Sequence, residues 1–456
     1  MKTEAKQGTP SSEAISRLSV GRKLGYGMGD FAANLTFQTV TLYLLFFFTD
    51  VFLLAASTAG IVFFISKLWN AVCDPTMGYI ADRAHSRWGK NRPFILFGAI
   101  PLGIAFALLF AAPDLTGIWR AAYALVTFLL FSTAYSVINV PYGALTANLT
   151  LDTHERSSLT GYRMGFAILG TLLGAGATKP LVAFFRNQVI GFRMMGVIYG
   201  CIGVVVNLIT FASVREQVLP PSEERKSLKE DLRLVMDNRP FLLLTIGCII
   251  LFVAINILAA MVNYYFKYNL HAESMIPVAF LCFFVAAMVA IPFWVFVSKK
   301  TSKKFAFMIG MSLLGLTMLG LLAVPQNQLK VILALLVLGG LGMSTGYLCP
   351  WAMIPDTVEF SEWKTGHRRE GILYGFFNFA FKFSAAFSGV LAGFGLDFIH
   401  YVPNVAQQAG TLKGIHMLMT VVPFLFILVG VMVIFFYPID AKMHARMIAD
   451  IEAQKR

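Results

Sequence analysis

The chain has 456 residues, of which 57% are hydrophobic and 13% are charged, and its formal net charge is +13. This composition excludes a soluble globular protein and is typical of polytopic helical membrane proteins. The cations cluster in short loops between apolar segments, so they indicate membrane orientation and no nucleic-acid partner. The five cysteines lie in apolar stretches without a CxxC pair, which predicts small buried side chains, without disulfides or metal ligands.

Twelve apolar segments of spanning length follow a polar N-terminal tail in which no signal peptide is visible. Their predicted centres lie near residues 37, 66, 104, 133, 174, 202, 253, 287, 314, 341, 385 and 425. Lys and Arg are frequent after the second, sixth and eighth segments and rare in the alternate loops. This asymmetry predicts a multi-pass protein of the cytoplasmic (inner) membrane, with both termini in the cytoplasm.

The longest polar stretch divides the twelve segments into two halves of six. Weak similarity between the halves, such as Pro141–Tyr142 against Pro350–Trp351, indicates parallel repeats. We therefore predict an all-α integral membrane protein with the major facilitator fold and a substrate site at mid-membrane between the halves. The predicted parts are an N-terminal tail, a first bundle, a linker, a second bundle and a C-terminal tail, at residues 1–21, 22–214, 215–239, 240–437 and 438–456.

The linker has the pattern of a short amphipathic helix on the cytoplasmic surface. Ser227 and Glu230 have the spacing of a capping box. Leu228, Leu232 and Val235 form one apolar stripe on the same predicted helix. We expect this helix to connect the two bundles.

Polar side chains recur on one face of each of the first two segments. These stripes are Asp30, Asn34 and Gln38 in the first segment and Lys67, Asn70 and Asp74 in the second. The first stripe favours a hydroxylated substrate. The second predicts an ion or substrate path, because charges inside a membrane are expensive. The alternative is that Asp74 pairs with Lys67 and only stabilises the helix.

Further polar or aromatic residues fall inside later segments, namely Ser136, Asn139, Arg163, Tyr347, Trp351 and Lys382. Lys382 is too central to reach water easily, whereas Arg163 lies close to a helix end. Tyr347 and Trp351 are either core aromatics or a surface on which a ligand stacks. Charged residues near the cytoplasmic ends predict a salt-bridge gate, made of Arg83, Arg87, Asp356, Glu359, Arg368 and Arg369.

The sequence contains no HExxH motif, phosphate-binding loop or Ser-His-Asp pattern, and His154 and His367 lack metal-ligand spacing. We therefore expect no enzyme activity, no metal site and no cofactor. Transport would be driven by an ion gradient, with H⁺ or Na⁺ as the coupling ion.

Several motifs resemble those of the glycoside–pentoside–hexuronide:cation symporters, the melibiose permease-like branch of the major facilitator superfamily. They are GYGMGDFAANL, FFFTDVF, LWNAVCDPTMGYIADRAHSRWGKNRPF, INVPYGAL, and PDTVEFSEW followed by TGHRREG. Together they extend the resemblance over nearly the whole chain. The resemblance implies secondary active symport of a sugar or glycoside with a cation, by alternating access.

By motif position, the resemblance implies a cation-coupling region at Asn70, Asp74, Ser136 and Asn139. It also implies a sugar-binding region at Asn34, Asn139, Gly143, Arg163, Tyr347 and Lys382. Asn70 and Asn139 replace two aspartates of the sodium-coupled melibiose permeases, and Gly143 replaces a tryptophan. Asp74 is then the one acid of this cluster. We favour proton over sodium coupling, because a desolvated carboxylate is a good proton carrier.

The charges predicted to face the cavity do not balance. Lys67, Arg163 and Lys382 face only Asp30 and Asp74, and an unpaired cation in a low-dielectric cavity favours an anionic substrate. We therefore expect a monomeric transporter that binds an acidic sugar, a hexuronide or a sulfonated sugar, through Arg163 or Lys382. The alternatives are a neutral glycoside, a lysophospholipid or other amphiphile carried by the same fold, and a sensor that does not transport.

Overall fold

The structure, a computed structural model, describes residues 18–84, 86–149, 153–216, 235–366 and 370–455. Within these ranges the chain forms α-helices with short π and 3-10 segments, in agreement with the all-α prediction. Most of the predicted linker helix, with Ser227, Leu228, Glu230 and Leu232, lies outside the described residues. The predicted gate residues Arg368 and Arg369 lie outside them as well.

The first half of the described chain contains helices α1 to α7 and a π-helical segment that follows α1. Their bounds are α1 Val20–Phe46, the π segment Phe47–Val51, α2 Ala56–Arg83, α3 Arg92–Leu109, α4 Gly117–Leu149, α5 Thr153–Gly176, α6 Thr178–Ala183 and α7 Gln188–Ser213. Polar side chains start several of these helices. The Asn187 side chain, for example, accepts a hydrogen bond at 2.8 Å from the Ile190 N–H and so caps α7.

The second half contains helices α8 to α15, and it also has a π segment after its first helix. Their bounds are α8 Arg239–Tyr264, the π segment Tyr265–Asn269, a 3-10 turn Glu273–Met275, α9 Ile276–Lys300, α10 Lys303–Ala323, α11 Leu329–Thr365, α12 Glu370–Phe398, α13 Ala409–Met419, α14 Val421–Phe435 and α15 Ala441–Lys455. Asn238 and Ser302 cap α8 and α10 in the same way as Asn187 caps α7.

In the described part of the chain, eleven helices are long and apolar enough to cross a membrane. The remaining segment of the predicted twelve is α5, whose 24 residues begin with the polar run THERSSLTGYR. Its predicted centre near residue 174 lies too late in the chain, because the polar run is helical as well and the helix ends at Gly176. The predicted major facilitator fold is confirmed. Each helix pairs its backbone N–H and C=O groups internally, as a membrane span requires.

The two halves come into backbone contact where α2 crosses α12. A Cβ atom on Gly60 would lie 2.7 Å from the carbonyl oxygen of Gly389, and one on Gly393 would overlap the carbonyl oxygen of Ala56. Gly389 and Gly393 form a GxxxG pattern, which lets helices approach closely inside a membrane. Small residues thus close the interface between the halves at the end where α2 begins.

The first helix of each half ends with the same local structure. The π segments Phe47–Val51 and Tyr265–Asn269 are each followed, two residues later, by a residue with positive φ. These residues are Leu53 at 55° and His271 at 49°. The match supports the internal repeat that the sequence indicates.

Candidate transport site

A cavity of about 100 Å³ lies between the two halves. Residues of α1 and α2 line one side, and residues of α8, α9, α11 and α12 line the other. The walls are mostly apolar and include the rings of Phe37, Phe63, Phe252, Phe280, Phe283, Phe284 and Phe381. The polar lining residues are Gln38, Thr41, Lys67, Asn256, Tyr347 and Ser388. Apolar walls with a few polar groups are typical of small-molecule sites.

Three of these polar side chains have no hydrogen-bond or ion-pair partner in the part of the chain that the structure describes: Gln38, Lys67 and Tyr347. By contrast, Asn256 and Ser388 donate to carbonyl groups of their own helices, at 2.7 and 2.8 Å. Buried polar groups in proteins are normally paired. The unpaired side chains of Gln38 and Lys67, which are buried, and of the more exposed Tyr347 are therefore available to a ligand.

Beside the cavity, the polar stripe of α2 faces α4 and α12. The Asp74 carboxylate forms an ion pair with the Lys382 ammonium group and accepts a hydrogen bond at 2.5 Å from the Ser136 hydroxyl. The same hydroxyl lies 3.3 Å from Oδ1 of Asn70. The side chains of Asp74 and Lys382 are 26% and 32% exposed, so water reaches the pair. The partner of Asp74 is therefore Lys382 from the opposite half, and not Lys67.

A second ion pair joins α1 to α5. Arg163 Nε donates to Asp30 Oδ2 at 2.5 Å, and the Tyr142 hydroxyl donates to the same oxygen at 2.9 Å. The hydroxyl of Tyr26 donates at 3.0 Å to the backbone carbonyl of Tyr142. The side chains of Asp30 and Arg163 are only 10% and 19% exposed. This cluster lies within one half and ties α1, α4 and α5 together.

The structure divides the predicted substrate residues into three groups: residues that line the cavity, residues in ion pairs, and residues outside the lining. Gln38 and Tyr347 line the cavity, where they are joined by Lys67, which was predicted for coupling. Arg163 and Lys382 lie against carboxylates instead. The acidic group of a substrate therefore has to compete with Asp30 or Asp74 for either of these cations.

The other predicted substrate residues lie outside this lining. Asn34 donates to the backbone carbonyl of Asp30 at 2.8 Å. Asn139 is half-buried and Gly143 is exposed, both on α4. The ring of Trp351 packs edge-on against Phe377, with ring centroids 5.3 Å apart. Their part in substrate binding stays a prediction.

Sequence reasoning missed several residues of the cavity. Asn256 stands in an apolar run, Ser388 shares its face only with the small Ser384, and the Phe residues of α9 belong to a segment without any polar stripe. Periodicity gives no reason to prefer them over other residues of the same helices. Only the internal repeat, in which α8 is the counterpart of α1, would have directed attention to Asn256.

A buried polar cluster around Asp50 joins the halves at the end opposite to the chain termini. The side chain of Asp50 is inaccessible to solvent and forms an ion pair at 2.8 Å with Lys267 of the other half. The Tyr268 hydroxyl donates to Oδ1 of Asp50, and the Tyr401 hydroxyl donates to Oδ2 at 2.6 Å. Burial and the nearby carboxylate raise the pKa of Tyr401, so its hydroxyl remains a donor. We call these residues, together with Thr49 and Asn404, the Asp50 cluster.

Two further acids reinforce the same end. Glu273 accepts hydrogen bonds from Lys179 at 2.7 Å and from Gln188 at 3.1 Å, both in the first half. Asp397 accepts a hydrogen bond at 3.0 Å from the Ser57 N–H in the first turn of α2. A carboxylate at a helix N-terminus is favoured by the helix dipole. Together with the glycine contact, these pairs close the cavity at this end.

At the opposite end, the space beside the helices is open. A Cβ atom placed on Gly143 of α4 or on Gly375 of α12 would meet no atom within 4 Å. Tyr347 and Trp351 on α11 are 46% and 37% exposed. The halves are thus held together at the Asp50 cluster, while several residues of α4, α11 and α12 toward the opposite end face open space.

The contacts that the structure describes for four of the predicted gate residues, Arg83, Arg87, Asp356 and Glu359, lie within one half each. Asp356 accepts a hydrogen bond from Lys303 at 2.6 Å, and Glu359 lies 2.7 Å from Nε2 of His444 on α15. The guanidinium groups of the two arginines stack on neighbouring rings, Arg83 on Tyr79 and Arg87 on Trp88. A salt-bridge gate between the halves stays a prediction. Two halves of long apolar helices around a central cavity, joined at one end by a buried ion pair, define a membrane transporter of the major facilitator class.

The chain belongs to the family described as MFS/sugar transport protein, whose sequence model matches residues 25–441. The uncharacterized symporter YnaJ of Bacillus subtilis (strain 168) is 37% identical over 452 residues, which cover 97% of this chain and 96% of that protein. The isoprimeverose transporter of Lactiplantibacillus pentosus is 30% identical over 99% of this chain and 95% of that protein. A candidate sulfoquinovose importer of Salmonella typhimurium is 32% identical over 96% of this chain and 94% of that protein. The prediction of a sugar-type transporter that is not an enzyme is confirmed.

Proposed function

We propose that the protein is a cation-coupled symporter of a sugar or glycoside that works by alternating access. The observation that carries this proposal is the central cavity, where Gln38, Lys67 and Tyr347 present unpartnered polar groups among aromatic rings. Aromatic faces pack against the C–H surface of a sugar, while polar groups bind its hydroxyls. The names of two relatives, which refer to isoprimeverose and to sulfoquinovose, support a sugar as the substrate.

The ion pair of Asp74 and Lys382 provides a route for coupling, because it spans the two halves. The Lys382 ammonium occupies the position that a coupling cation would take beside the carboxylate. Protonation of Asp74 would remove its charge and release Lys382, so proton binding would change the contact between the halves. Sodium would have to displace the ammonium and use the oxygens of Asn70, Asp74 and Ser136. We favour the proton because it does not need a new coordination shell.

Alternating access is supported by the unequal ends of the molecule. The Asp50 cluster and the glycine contact of α2 with α12 close one end, while the space around Gly143 and Gly375 is open. The distribution of Lys and Arg predicts that both termini lie in the cytoplasm, and with that orientation this arrangement is an inward-facing state. Transport would require the Asp50 cluster to separate and the opposite end to close.

Uptake into proteoliposomes tests this proposal. Purified protein is reconstituted, a proton gradient is imposed with and without sodium, and radiolabelled solutes are offered. The panel contains neutral glycosides, hexuronides, sulfonated sugars and one lysophospholipid. We expect accumulation of a sugar that a protonophore abolishes and that needs no sodium. Accumulation of the lysophospholipid alone would contradict sugar transport and indicate a transporter of amphiphiles. Binding without uptake or counterflow would indicate a sensor.

A further inference from the structure

Lys67 differs from the other buried cations between the helices. Its side chain is 8% exposed, and its ammonium group lies 4.9 Å from the ring centroid of Phe37 and 6.0 Å from that of Phe128. Four other cations each have a carboxylate partner: Arg163 pairs with Asp30, Lys179 with Glu273, Lys267 with Asp50 and Lys382 with Asp74. Within the described residues, Lys67 contacts no carboxylate and faces the cavity.

The charge around Lys67 is not balanced by the neighbouring residues. The negative charge of Asp74 is already used by Lys382 and Ser136. A buried charge without a partner is costly, and the cost is offset when an oppositely charged group enters the same space.

We propose that Lys67 binds the carboxylate or sulfonate group of an acidic sugar in the central cavity. This inference rests on the proposed sugar transport and specifies its substrate class. The charge count from the sequence assigned the acidic group to Arg163 or Lys382. The structure favours Lys67 instead, because this cation has no carboxylate partner among the described residues. A charge-assisted hydrogen bond from the Lys67 ammonium holds the anion.

The other unpartnered groups in the cavity fit the rest of such a substrate. The Gln38 amide lies one turn along α1 from Asn34 and lines the cavity on the same side as Lys67, while Tyr347 lines it from the other half. An amide and a hydroxyl both donate and accept hydrogen bonds, as sugar hydroxyl groups require. A sugar held between Lys67 and Tyr347 would therefore contact both halves of the transporter.

The competing explanation is that Lys67 only packs against aromatic rings. Contacts with Phe37 and Phe128 then supply a cation–π attraction and no substrate is involved. The two explanations differ in what Lys67→Gln changes. Loss of an anion-binding group weakens acidic ligands selectively, whereas loss of a packing contact lowers stability and affects acidic and neutral sugars alike.

The test uses the purified full-length chain and ligands that share one sugar ring and differ in the charged or neutral group at C6. Binding of glucuronate, its neutral methyl ester, glucose and 6-deoxy-6-sulfoglucose is measured by thermal shift and calorimetry, and uptake is measured in proteoliposomes. The variants are Lys67→Gln, Lys67→Arg and, as a matched control outside the cavity, Lys300→Gln. The melting temperature of each variant without ligand reports whether it folds. Lys67→Arg keeps the charge and tests the anion site even if Lys67→Gln is unstable.

We expect the wild type to prefer at least one acidic sugar over its neutral analogue. Lys67→Gln should weaken the binding of that acidic sugar about 10-fold or more, as expected for the loss of a hydrogen bond to a charged group. The affinity for neutral sugars should stay unchanged. Lys67→Arg and Lys300→Gln should retain the preference. Equal binding of acidic and neutral sugars by the wild type, or an equal loss of both in Lys67→Gln, would overturn the anion site and leave sugar transport standing. A wild type that neither binds nor transports any sugar would overturn both.

Discussion

In the described part of the chain, two lysine–aspartate pairs join the halves of this transporter, and their surroundings differ. Asp50 has no exposed side-chain surface and accepts hydrogen bonds from Lys267 and from the hydroxyls of Thr49, Tyr268 and Tyr401. Asp74, in contrast, is 26% exposed, and its partners are Lys382 and Ser136.

The difference indicates different roles for the same pair of residue types. Removing one partner of a carboxylate that is surrounded by several donors leaves a buried charge. A carboxylate with few donors and access to water can exchange its cation for a proton. We therefore assign the Asp50 cluster to closure of one end and the Asp74 pair to coupling.

The largest effect is expected for Asp74→Asn. This change removes the proton-binding carboxylate, so proton-driven accumulation should fall to the level of protein-free vesicles, while counterflow of the same sugar persists. Both are measured in proteoliposomes. Asp114→Asn, in an exposed loop, is the control and should accumulate sugar normally. Full accumulation by Asp74→Asn would contradict its assignment to coupling.

Asp50→Asn should destabilise the closed end strongly. It leaves the Lys267 ammonium without its carboxylate, and breaking a buried ion pair typically costs about 3–5 kcal/mol. A reduced melting temperature in detergent is the expected result. The double variant Asp50→Asn/Lys267→Met should regain part of the lost melting temperature, because it no longer leaves an unpaired ammonium group. The comparison with Asp74→Asn is the sharper test, because that more exposed pair should lose less stability. Equal losses would show that the two pairs do not differ.

Gly393→Leu tests the contact between the helices α2 and α12 without changing charge. The added side chain would collide with the carbonyl of Ala56, and overpacking of this kind costs typically about 1–3 kcal/mol. We expect lower stability and slower uptake. Gly375→Leu is the matched control on the same helix, since a Cβ there meets no atom within 4 Å. Identical behaviour of the two variants would mean that close packing at Gly393 does not matter.

The smallest effect is expected for His444→Gln. His444 contacts Glu359 from α15 but is 34% exposed, and exposed ion pairs contribute about 0–1 kcal/mol. Both the melting temperature and the rate of uptake should remain close to those of the wild type. A loss as large as that of Asp50→Asn would identify a structural role for this contact that its exposure does not suggest.

The fold could be predicted because the membrane restricts the secondary structures that can span it. Helices satisfy their own backbone groups, and long apolar runs separated by charged loops reveal their number. The exception is α5, whose polar start hides it from a hydropathy criterion. Residues four apart on one helix also share a face, so the spacing placed Asn70 and Asp74 together. Their grouping with Ser136, which lies beside both, came from the family resemblance.

Pairings between distant helices could not be predicted in the same way. The choice of Lys382 over Lys67 as the partner of Asp74 depends on how α2 and α12 are rotated about their axes. Asp50 belongs to a quoted motif, FFFTDVF, but its partner Lys267 is 217 residues away. Aligning the two repeats, so that the ends of α1 and α8 coincide, is the sequence signal that would have brought these two residues together.

The most direct test of the account is the movement of protons with the substrate. Proteoliposomes containing wild type or Asp74→Asn are loaded with a pH-sensitive dye, without a preformed gradient and without sodium. The preferred sugar from the uptake panel is then added outside. We predict that the interior acidifies with the wild type and that its pH stays constant with Asp74→Asn. Sugar entry into wild-type vesicles without acidification, but with a requirement for sodium, would contradict proton coupling through Asp74.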